Sequence, residues 1–386
     1  MFITEDIRYV GVDDHEIDLF EGQFEVPGGM SYNSYVILDE KIAVMDSVDR
    51  RFGAQWIANV REALGDRQPD YLVVHHMEPD HSANIELFME TFPQAVVVSS
   101  AMAQRMMQQF FGTAFEGRNL TVGEGDTIEL GAHTLSFIAA PMVHWPEVIM
   151  TYDAKEKTLF SADGFGKFGA LDYDDPEGWA CEARRYYFGI VGKFGASVQG
   201  VLQKASGLDI ARICPLHGPV LDEDLGYYLE KYDIWSAYRP EDAGVTIAYT
   251  SVYGHTKEAA EKLAALLAEK GVENVSLFDL ARDDMFEAIE DAFRYDRLVL
   301  ATTTYTMDIF PPMRTFIEGL TERDYQNRRV AFIENGSWAP MAKRIMGGLF
   351  EKSKNITFAE NAVTIRGALN AQSEAQLAAL AEEFAH

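Results

Sequence analysis

The sequence predicts an α/β protein of two domains, in which a sandwich of two sheets between helices precedes a doubly wound parallel sheet. Three observations support this prediction. Short strands dominate the chain up to about Glu241, and strands and helices alternate regularly after Val245. Between these two patterns, at 238–244, lies a polar segment that contains proline and glycine. We therefore predict domains at residues 1–242 and 245–386.

Composition and charge argue against a nucleic-acid-binding, membrane or disulfide-rich protein. Its 386 residues are 47% hydrophobic, which is enough for sizeable cores, and 61 acidic against 33 basic residues give a net charge of −28. Because such a surface repels phosphate backbones and anionic lipid, we expect neither nucleic acid nor a membrane as a partner. No apolar run approaches the roughly 20 residues of a membrane span, so we expect a cytoplasmic protein. The two cysteines form no CxxC pair, which argues against a disulfide framework or an iron–sulfur centre.

In the first domain, the pattern predicts a hairpin, then helices and strands in turn, then a run of short strands. The hairpin strands are 32–38 and 42–46, and a helix at 51–64 ends at Gly65 as a C-cap. A strand at 71–74, a helix at 84–91, a strand at 95–99 and a helix at 102–111 follow. The short strands, which we expect to be antiparallel, are 120–122, 127–130, 135–139, 148–152 and 158–161. This order predicts two packed sheets with helices outside.

A polar cluster follows the predicted strand at 71–74. It reads His75-His76-Met77-Glu78-Pro79-Asp80-His81 and begins where a buried strand ends, a position at which functional sites are often built. In an extended backbone, His76, Glu78 and Asp80 would point to one face while His75 and Met77 point away. The cluster therefore offers three potential metal ligands in five residues.

Further candidate ligands follow other predicted strands of the same domain. They are His144, Asp163 and His217, which one mouth of a sandwich could collect together with His76, Glu78, Asp80 and His81. This set exceeds the need of one tetrahedral zinc and fits two metals bridged by Asp163, and the absence of cysteine from it favours redox-capable first-row ions. For any single histidine the alternative is an ordinary structural role, which we assign to His15, His133 and His386.

Together these residues resemble the metallo-β-lactamase-like domain of the flavodiiron proteins. The similar motifs are the H-x-E-x-D-H run at 76–81, His144-Trp145-Pro146, Asp163-Gly164-Phe165-Gly166, His217-Gly218 and the early stretch Ser31-Tyr32-Asn33-Ser34-Tyr35. Hydrolytic relatives carry H-x-H-x-D-H and bind zinc. Glu78 in place of the second histidine is the family's departure toward non-haem iron.

The resemblance implies two irons per chain. His76, Glu78, His144 and Asp163 would hold one, and Asp80, His81, Asp163 and His217 would hold the other. His81 is a ligand in some members of the family and not in others. Tyr187 and its neighbour Tyr186 lie in a segment that passes near the metals in relatives, and core packing is the alternative role for both.

After the junction, five strand–helix units predict a doubly wound, five-stranded parallel sheet. The predicted strands are 245–249, 275–279, 298–302, 330–334 and 356–363, and the predicted helices are 256–270, 283–293, 312–320, 341–351 and 374–384. Ligands on such a sheet lie beyond the carboxyl ends of its strands.

Three loops at those carboxyl ends carry hydroxyls, glycine and aromatic residues. The loop at 250–256 lacks the nicotinamide and ATP patterns and suits a monoester phosphate at the start of a helix. The loops at 302–308 and 334–340 suit a flat ring with a polar rim, with Tyr305 and Trp338 as the ring-facing candidates. This half resembles flavodoxin, and the resemblance implies FMN. The candidate contacts are Ser251, Tyr253, Gly254, His255, Thr256, Thr304, Tyr305, Thr306, Asn335, Gly336, Ser337 and Trp338.

Taken whole, the chain resembles an A-type flavodiiron protein. The resemblance implies reduction of O₂ to water, of NO to N₂O, or of both, with FMN and a diiron pair together holding the four electrons that O₂ requires. It also implies a head-to-tail homodimer, or a dimer of such dimers. A rubredoxin-like or other external electron donor is expected, since no rubredoxin-like cysteines follow residue 386. The alternatives are a dinuclear zinc hydrolase with a flavodoxin-like regulatory domain, and a pure electron-transfer protein.

Overall fold

The computed structural model describes residues 1–385, and His386 lies outside the described residues. The chain divides into two compact units, the first ending at Asp233 and the second beginning at Ile234. This division falls inside the helix Leu225–Ser236, a few residues before the polar segment at 238–244. The domain boundaries at 242 and 245 therefore stay predictions. Within the described part of the chain, no helix combines the length and apolar character that crossing a bilayer requires.

The first unit mixes short strands with helices. Its strands are β1 (Ile7–Tyr9), β2 (Val12–Asp14), β3 (Leu19–Phe20), β4 (Phe24–Glu25), β5 (Met30–Tyr32), β6 (Tyr35–Ile37), β7 (Ala43–Met45), β8 (Tyr71–Val74), β9 (Val96–Ser99), β10 (Asn119–Thr121), β11 (Thr127–Glu129), β12 (Thr134–Ala139), β13 (Ile149–Asp153), β14 (Thr158–Phe160) and β15 (Arg212–Cys214). Its helices are α1 (Gly53–Leu64), α2 (Pro79–Ser82), α3 (Ile85–Thr91), α4 (Ala101–Phe111), α5 (Trp179–Tyr186), α6 (Gly195–Ala205) and α7 (Leu225–Ser236), the last crossing into the second unit.

Two sheets pack face to face in this unit. One has the strand order β1-β6-β7-β8-β9-β10, and the other follows the chain from β11 to β15. A buried cluster joins them, with Ile37, Val73 and Val98 from the first sheet and Phe137 and Phe160 from the second. Since these side chains leave water only when the two sheets meet, their burial holds the sandwich together. The predicted sandwich is confirmed.

The predicted direction of one strand was wrong. The segment at 120–122 was expected to be antiparallel, but β10 extends the first sheet and runs parallel to β9. The reason lies in the connection, because α4 carries the chain back across the sheet before β10 begins, and such a crossover joins parallel strands. Ser100 caps the start of α4 by accepting a hydrogen bond from Ala103 N–H.

The second unit alternates strands and helices as predicted. Its strands are β16 (Asp242–Tyr249), β17 (Val275–Asp279), β18 (Tyr295–Tyr305), β19 (Asp308–Ile309), β20 (Arg329–Asn335), β21 (Thr357–Phe358) and β22 (Val363–Ile365). Its helices are α8 (His255–Glu269), α9 (Met285–Arg294), α10 (Pro311–Glu322), α11 (Ala342–Leu349) and α12 (Ala371–Phe384).

A parallel sheet of order β17-β16-β18-β20-β21 forms the centre of this unit, and β22 also pairs with β20. Helices α8 and α12 pack on one face, over Val245, Ile247 and Val299, while α9 and α11 contact the strands from the other face. Where one strand was predicted at 356–363, the structure has two short strands, β21 and β22, which both pair with β20. Between them, the backbone N–H groups of Glu360 and Asn361 donate to the Glu383 carboxylate rather than to β20.

Candidate metal centre and flavin site

Four candidate ligands converge at one end of the sandwich. His76 follows β8, Asp163 follows β14, and His144 lies in the loop between β12 and β13. With Glu78 they form a group whose ligand atoms all lie within 4.8 Å of one another. His144 Nε2 is 2.9 Å from Glu78 Oε2 and 3.2 Å from His76 Nε2. These atoms surround a space suited to one metal ion.

A second group lies beside the first. It consists of Asp80, His81 and His217, again with ligand atoms within 4.8 Å of one another. The Nε2 atoms of the two histidines are 3.0 Å apart, and Asp80 Oδ2 is 3.3 Å from each. Two ring nitrogens at this distance either share a proton or face a common cation.

Asp163 stands between the two groups, with one carboxylate oxygen toward each. Its Oδ2 lies 3.1 Å from His144 Nε2 and 3.3 Å from His76 Nε2. Its Oδ1 lies 3.3 Å from His81 Nε2 and 3.8 Å from His217 Nε2. A carboxylate in this position can bridge two cations.

The expectation that His76, Glu78 and Asp80 share one face was wrong for Asp80. The backbone is extended only up to Glu78, which is the N-cap residue of α2, and Pro79 begins that helix. Helical geometry then turns Asp80 and His81 toward His217 instead of toward His76. The run at 76–81 therefore supplies both groups.

The candidate ligands are buried, and several of their carboxylate oxygens lack hydrogen-bond donors, which is the environment of a cation site. His76, His81 and Asp163 have no exposed surface, and Glu78 and Asp80 side chains are only 14% and 12% exposed. Among the described residues, no well-directed hydrogen bond reaches either carboxylate oxygen of Asp80 or Asp163. Buried carboxylates without donors are costly unless a cation neutralises them, so the residues fit a metal pair.

The close approach of histidines and carboxylates also shifts the pKa values of Asp163 and His144. Burial alone would raise the pKa of Asp163, but the neighbouring histidines hold it well below its usual range. Burial would likewise lower the pKa of His144, but its contacts with Asp163 and Glu78 raise it to about 9. A divalent cation would take over the role that these protons have here.

Three residues outside the ligand groups position the ligands: Glu147, which the sequence analysis did not identify, and Ser31 and Asn33 of the early stretch at 31–35. Glu147 is buried and accepts hydrogen bonds from His76 Nδ1–H at 2.8 Å and Met77 N–H at 2.9 Å. Ser31 accepts from His217 Nδ1–H through its carbonyl oxygen at 2.7 Å. Asn33 donates to the carbonyl oxygens of Pro215 and Gly218 on both sides of that histidine. The early stretch at 31–35 therefore orients the His217 loop.

The remaining histidines of this unit have other partners. His75 pairs with Asp46 and lies 2.7 Å from the Thr151 hydroxyl, on the side of β8 away from the metal groups. His133 donates to Asp153 at 2.8 Å. His15 is exposed, 3.6 Å from Asp172. Their surroundings are those of structural histidines.

The two tyrosines at 186 and 187 have different surroundings. Burial and the carboxylates of Asp163 and Glu78 raise the pKa of Tyr186 well above its usual value, and its ring centroid lies 5.6 Å from that of His217. The Tyr187 ring packs against Phe188 and Tyr232. Tyr186 therefore contacts a candidate ligand, and a catalytic role for Tyr187 stays a prediction.

The second unit has a cavity of about 570 Å³ beyond the carboxyl ends of its strands. It contains ten of the twelve predicted contacts; Gly254 and Tyr305 do not line it, and the Tyr305 ring packs against Phe310. Six lining residues were not predicted: Val252, Thr303, Met307, Ala339, Met341 and Gly367.

The walls of this cavity fit a phosphorylated flat ring. Helix α8 begins at the cavity, and its N-cap is Gly254, which has a φ of 96° and no side chain to satisfy the first N–H groups. Trp338 and Met307 are 91% and 80% exposed at the rim, which is unusual for such apolar side chains and leaves surface for a ring to cover. The structure thus provides an anion-binding end and an apolar rim in one cavity.

Comparisons with known proteins agree with this architecture. Residues 30–218 match a family model described as ODP family beta lactamase, and residues 246–372 match one described as flavodoxin domain. An uncharacterized protein of Methanocaldococcus jannaschii is 30% identical over 319 residues, covering 82% of this chain and 80% of that protein. The anaerobic nitric oxide reductase flavorubredoxin of Escherichia coli is 28% identical over 370 residues, covering 92% of this chain and 77% of that protein.

Solved structures share the fold over the full length. Rubredoxin:oxygen oxidoreductase from Desulfovibrio gigas superposes with a TM-score of 0.92 at 22% identity, covering 100% of this chain and 97% of that one. The flavodiiron protein from Giardia intestinalis also gives 0.92, at 24% identity, with 99% and 95% covered. The two matched domains, their order and their relatives place this chain in the flavodiiron protein family, whose members are oxidoreductases with FMN and a diiron centre.

Proposed function

We propose that this protein is a cytoplasmic reductase of O₂ to water, of NO to N₂O, or of both, at a non-haem diiron site that receives electrons from FMN. The observation that carries the proposal is Asp163, whose two oxygens face two separate groups of ligands. The nitric oxide reductase and oxygen oxidoreductase named among the relatives support the two substrates.

In this proposal the chain holds its irons through the two groups of side chains described above. His76, Glu78, His144 and Asp163 hold one iron, and Asp80, His81, His217 and Asp163 hold the other. The iron pair and the flavin supply electrons and a place for O₂ or NO to bind. Glu147 fixes the His76 ring, with its Nδ1 protonated and its Nε2 free to bind metal.

The flavodoxin-like unit binds FMN through the cavity at its strand ends. The N-terminus of α8 would receive the phosphate next to the Ser251 and Thr256 hydroxyls, and Trp338 would lie against the ring. Gly254 N–H donates to Ser251 Oγ at 3.0 Å, which shapes the phosphate loop.

Assembly and electron supply complete the proposal. By resemblance, a head-to-tail homodimer brings the flavin of one chain to the irons of another, and a rubredoxin-like protein delivers the electrons. The name of the Desulfovibrio gigas protein, which pairs rubredoxin with oxygen, supports this donor.

Metal and flavin analysis followed by gas consumption tests the proposal. We expect about two irons and one FMN per chain, and consumption of O₂ or NO after anaerobic reduction. Asp163→Asn should lose this consumption, whereas Asp153→Asn, which changes a buried aspartate paired with His133, should keep it. A zinc-only protein with hydrolase activity would overturn the proposal, and so would unchanged consumption by Asp163→Asn.

A further inference from the structure

The cavity of the second unit has a wall that the sequence did not predict. It is the loop that follows β22, which reaches the cavity with Gly367. The backbone turns sharply there, with a φ of 90° at Gly367 and a single bridge between Arg366 and Ala368. Because residues with a side chain rarely adopt this φ, glycine is what lets the loop make this turn beside the cavity.

The side chain of Asn335 ties this loop to the start of α8. Asn335 is the last residue of β20 and is 7% exposed. Its Oδ1 accepts a hydrogen bond from Gly367 N–H at 3.1 Å, and its Nδ2 donates to the Gly367 carbonyl oxygen at 3.0 Å. Nδ2 also donates to the Thr256 hydroxyl oxygen at 3.4 Å. Both N–H groups of the amide therefore have partners within the protein, and neither is left to contact a ligand.

The two bonds to Gly367 decide which way the Asn335 amide faces. A backbone N–H can only donate and a carbonyl oxygen can only accept, so Oδ1 must face the N–H and Nδ2 must face the carbonyl. Nδ2 is consequently the atom that faces Thr256, and the Thr256 oxygen is the acceptor. The hydrogen of this hydroxyl then points away from Asn335.

The Thr256 hydroxyl lies at the end of the cavity that suits an anion. Thr256 is in the first turn of α8, is 2% exposed and lines the cavity. Among the described residues, Asn335 is the only hydrogen-bond partner of this hydroxyl, so the hydroxyl hydrogen has no acceptor in that part of the chain. A buried donor of this kind, at the N-terminus of a helix, is suited to a phosphate oxygen.

We propose that Asn335 is a positioning residue, whose amide makes the Thr256 hydroxyl a donor to the phosphate, so that the cavity binds FMN in preference to riboflavin, which lacks the phosphate. The inference rests on the proposed binding of FMN in this cavity. Donation by Nδ2 fixes the direction of the hydroxyl and polarises it. A bond from this hydroxyl to a charged phosphate oxygen is stronger than a bond between neutral groups, so its loss weakens FMN binding more than riboflavin binding.

Titration of the flavin-free protein with FMN and with riboflavin, followed by flavin fluorescence, tests this inference without measuring turnover. Asn335→Leu removes the three bonds and adds no charge. We expect it to lower the affinity for FMN about threefold to tenfold more than the affinity for riboflavin. Asn274→Leu is the matched control, because the Asn274 amide donates to the Ala243 carbonyl oxygen at 2.9 Å in the same unit, outside the cavity. It should leave both affinities unchanged.

A second pair of variants tests whether Asn335 acts through Thr256. Thr256→Val removes the hydroxyl, and adding Asn335→Leu to it should change the two affinities by the same factor. If Asn335→Leu does not fold, Asn335→Ala is the substitute.

Two results would overturn this inference alone. One is an equal change in FMN and riboflavin affinity, or no change, in the single Asn335 variant, since Asn335 would then not act on the phosphate. The other is a loss of preference for FMN that Asn335→Leu still causes in the Thr256→Val protein. Failure of the unmodified protein to bind FMN would instead overturn the proposed function.

Discussion

Replacing Glu147 by glutamine should weaken iron binding without unfolding the first unit. In the native protein one oxygen, Oε1, accepts from both His76 Nδ1–H and Met77 N–H, while Oε2 has no partner among the described residues. The glutamine oxygen can still accept both bonds, but its negative charge is gone. The bond to His76 thus becomes a neutral one, roughly half as strong.

The size of the effect follows from the role of this bond. Outer carboxylates that hold a metal-bound histidine typically contribute tenfold to a hundredfold in metal affinity, which is about 1.4 to 2.8 kcal/mol. The new amide N–H₂ would also occupy the position of Oε2, where a buried donor without a partner costs about 1 to 3 kcal/mol of folding stability. We expect both losses in Glu147→Gln.

Competition with an Fe²⁺ chelator measures the affinity, and thermal unfolding of the metal-free protein measures the stability. Asp153→Asn is the matched control because it changes the carboxylate that pairs with His133, away from the metal groups. It should lower stability and leave iron affinity unchanged. Native iron affinity in a folded Glu147→Gln protein would refute the reasoning, since Glu147 would then not orient His76.

Three further predictions concern single side chains. His81→Asn should lower the iron content from about two per chain toward one; retention of both irons would show that His81 is not a ligand. Trp338→Ala should weaken FMN binding about fivefold to tenfold, measured by flavin fluorescence, whereas Phe358→Ala, outside the cavity, should not. Burial lowers the pKa of His133, but its bonds to Asp153 and Asp6 outweigh this and raise it. The protonated histidine therefore stabilises the fold at low pH, and this stabilisation is lost as the pH rises through the raised pKa. His133→Asn should accordingly lower the melting temperature more at pH 6 than at pH 9, with native iron content; an equal loss at both pH values would contradict this sign.

Much of the fold could be predicted from local patterns. The alternation of strands and helices after Val245 predicted the parallel sheet. Each strand and each helix could be recognised there from the spacing of its own apolar residues. The split of the last strand into β21 and β22 could not be predicted, since it depends on the Glu383 carboxylate, which lies on a helix more than 20 residues away. Likewise, the direction of β10 depended on which sheet it joined.

The candidate ligands show the same division. The sequence placed His76, His144, Asp163 and His217 after strands, and the structure brings these strand ends together. From the pattern of residues alone it could not group Asp80 with His217, as the resemblance did, because Pro79 starts a helix there. Nor could it identify Glu147, which has no motif of its own and meets His76 across 71 positions of the chain.

The sequence by itself determined the two domains, the types of ligand and the loops that carry them, because side-chain chemistry and apolar periodicity are local properties. The tertiary structure alone decided which residues hold the ligand rings in place, and it brings together around Asp163 the two groups that the resemblance implied. These are long-range contacts that exist only once the sheets have packed, so no stretch of the chain specifies them alone.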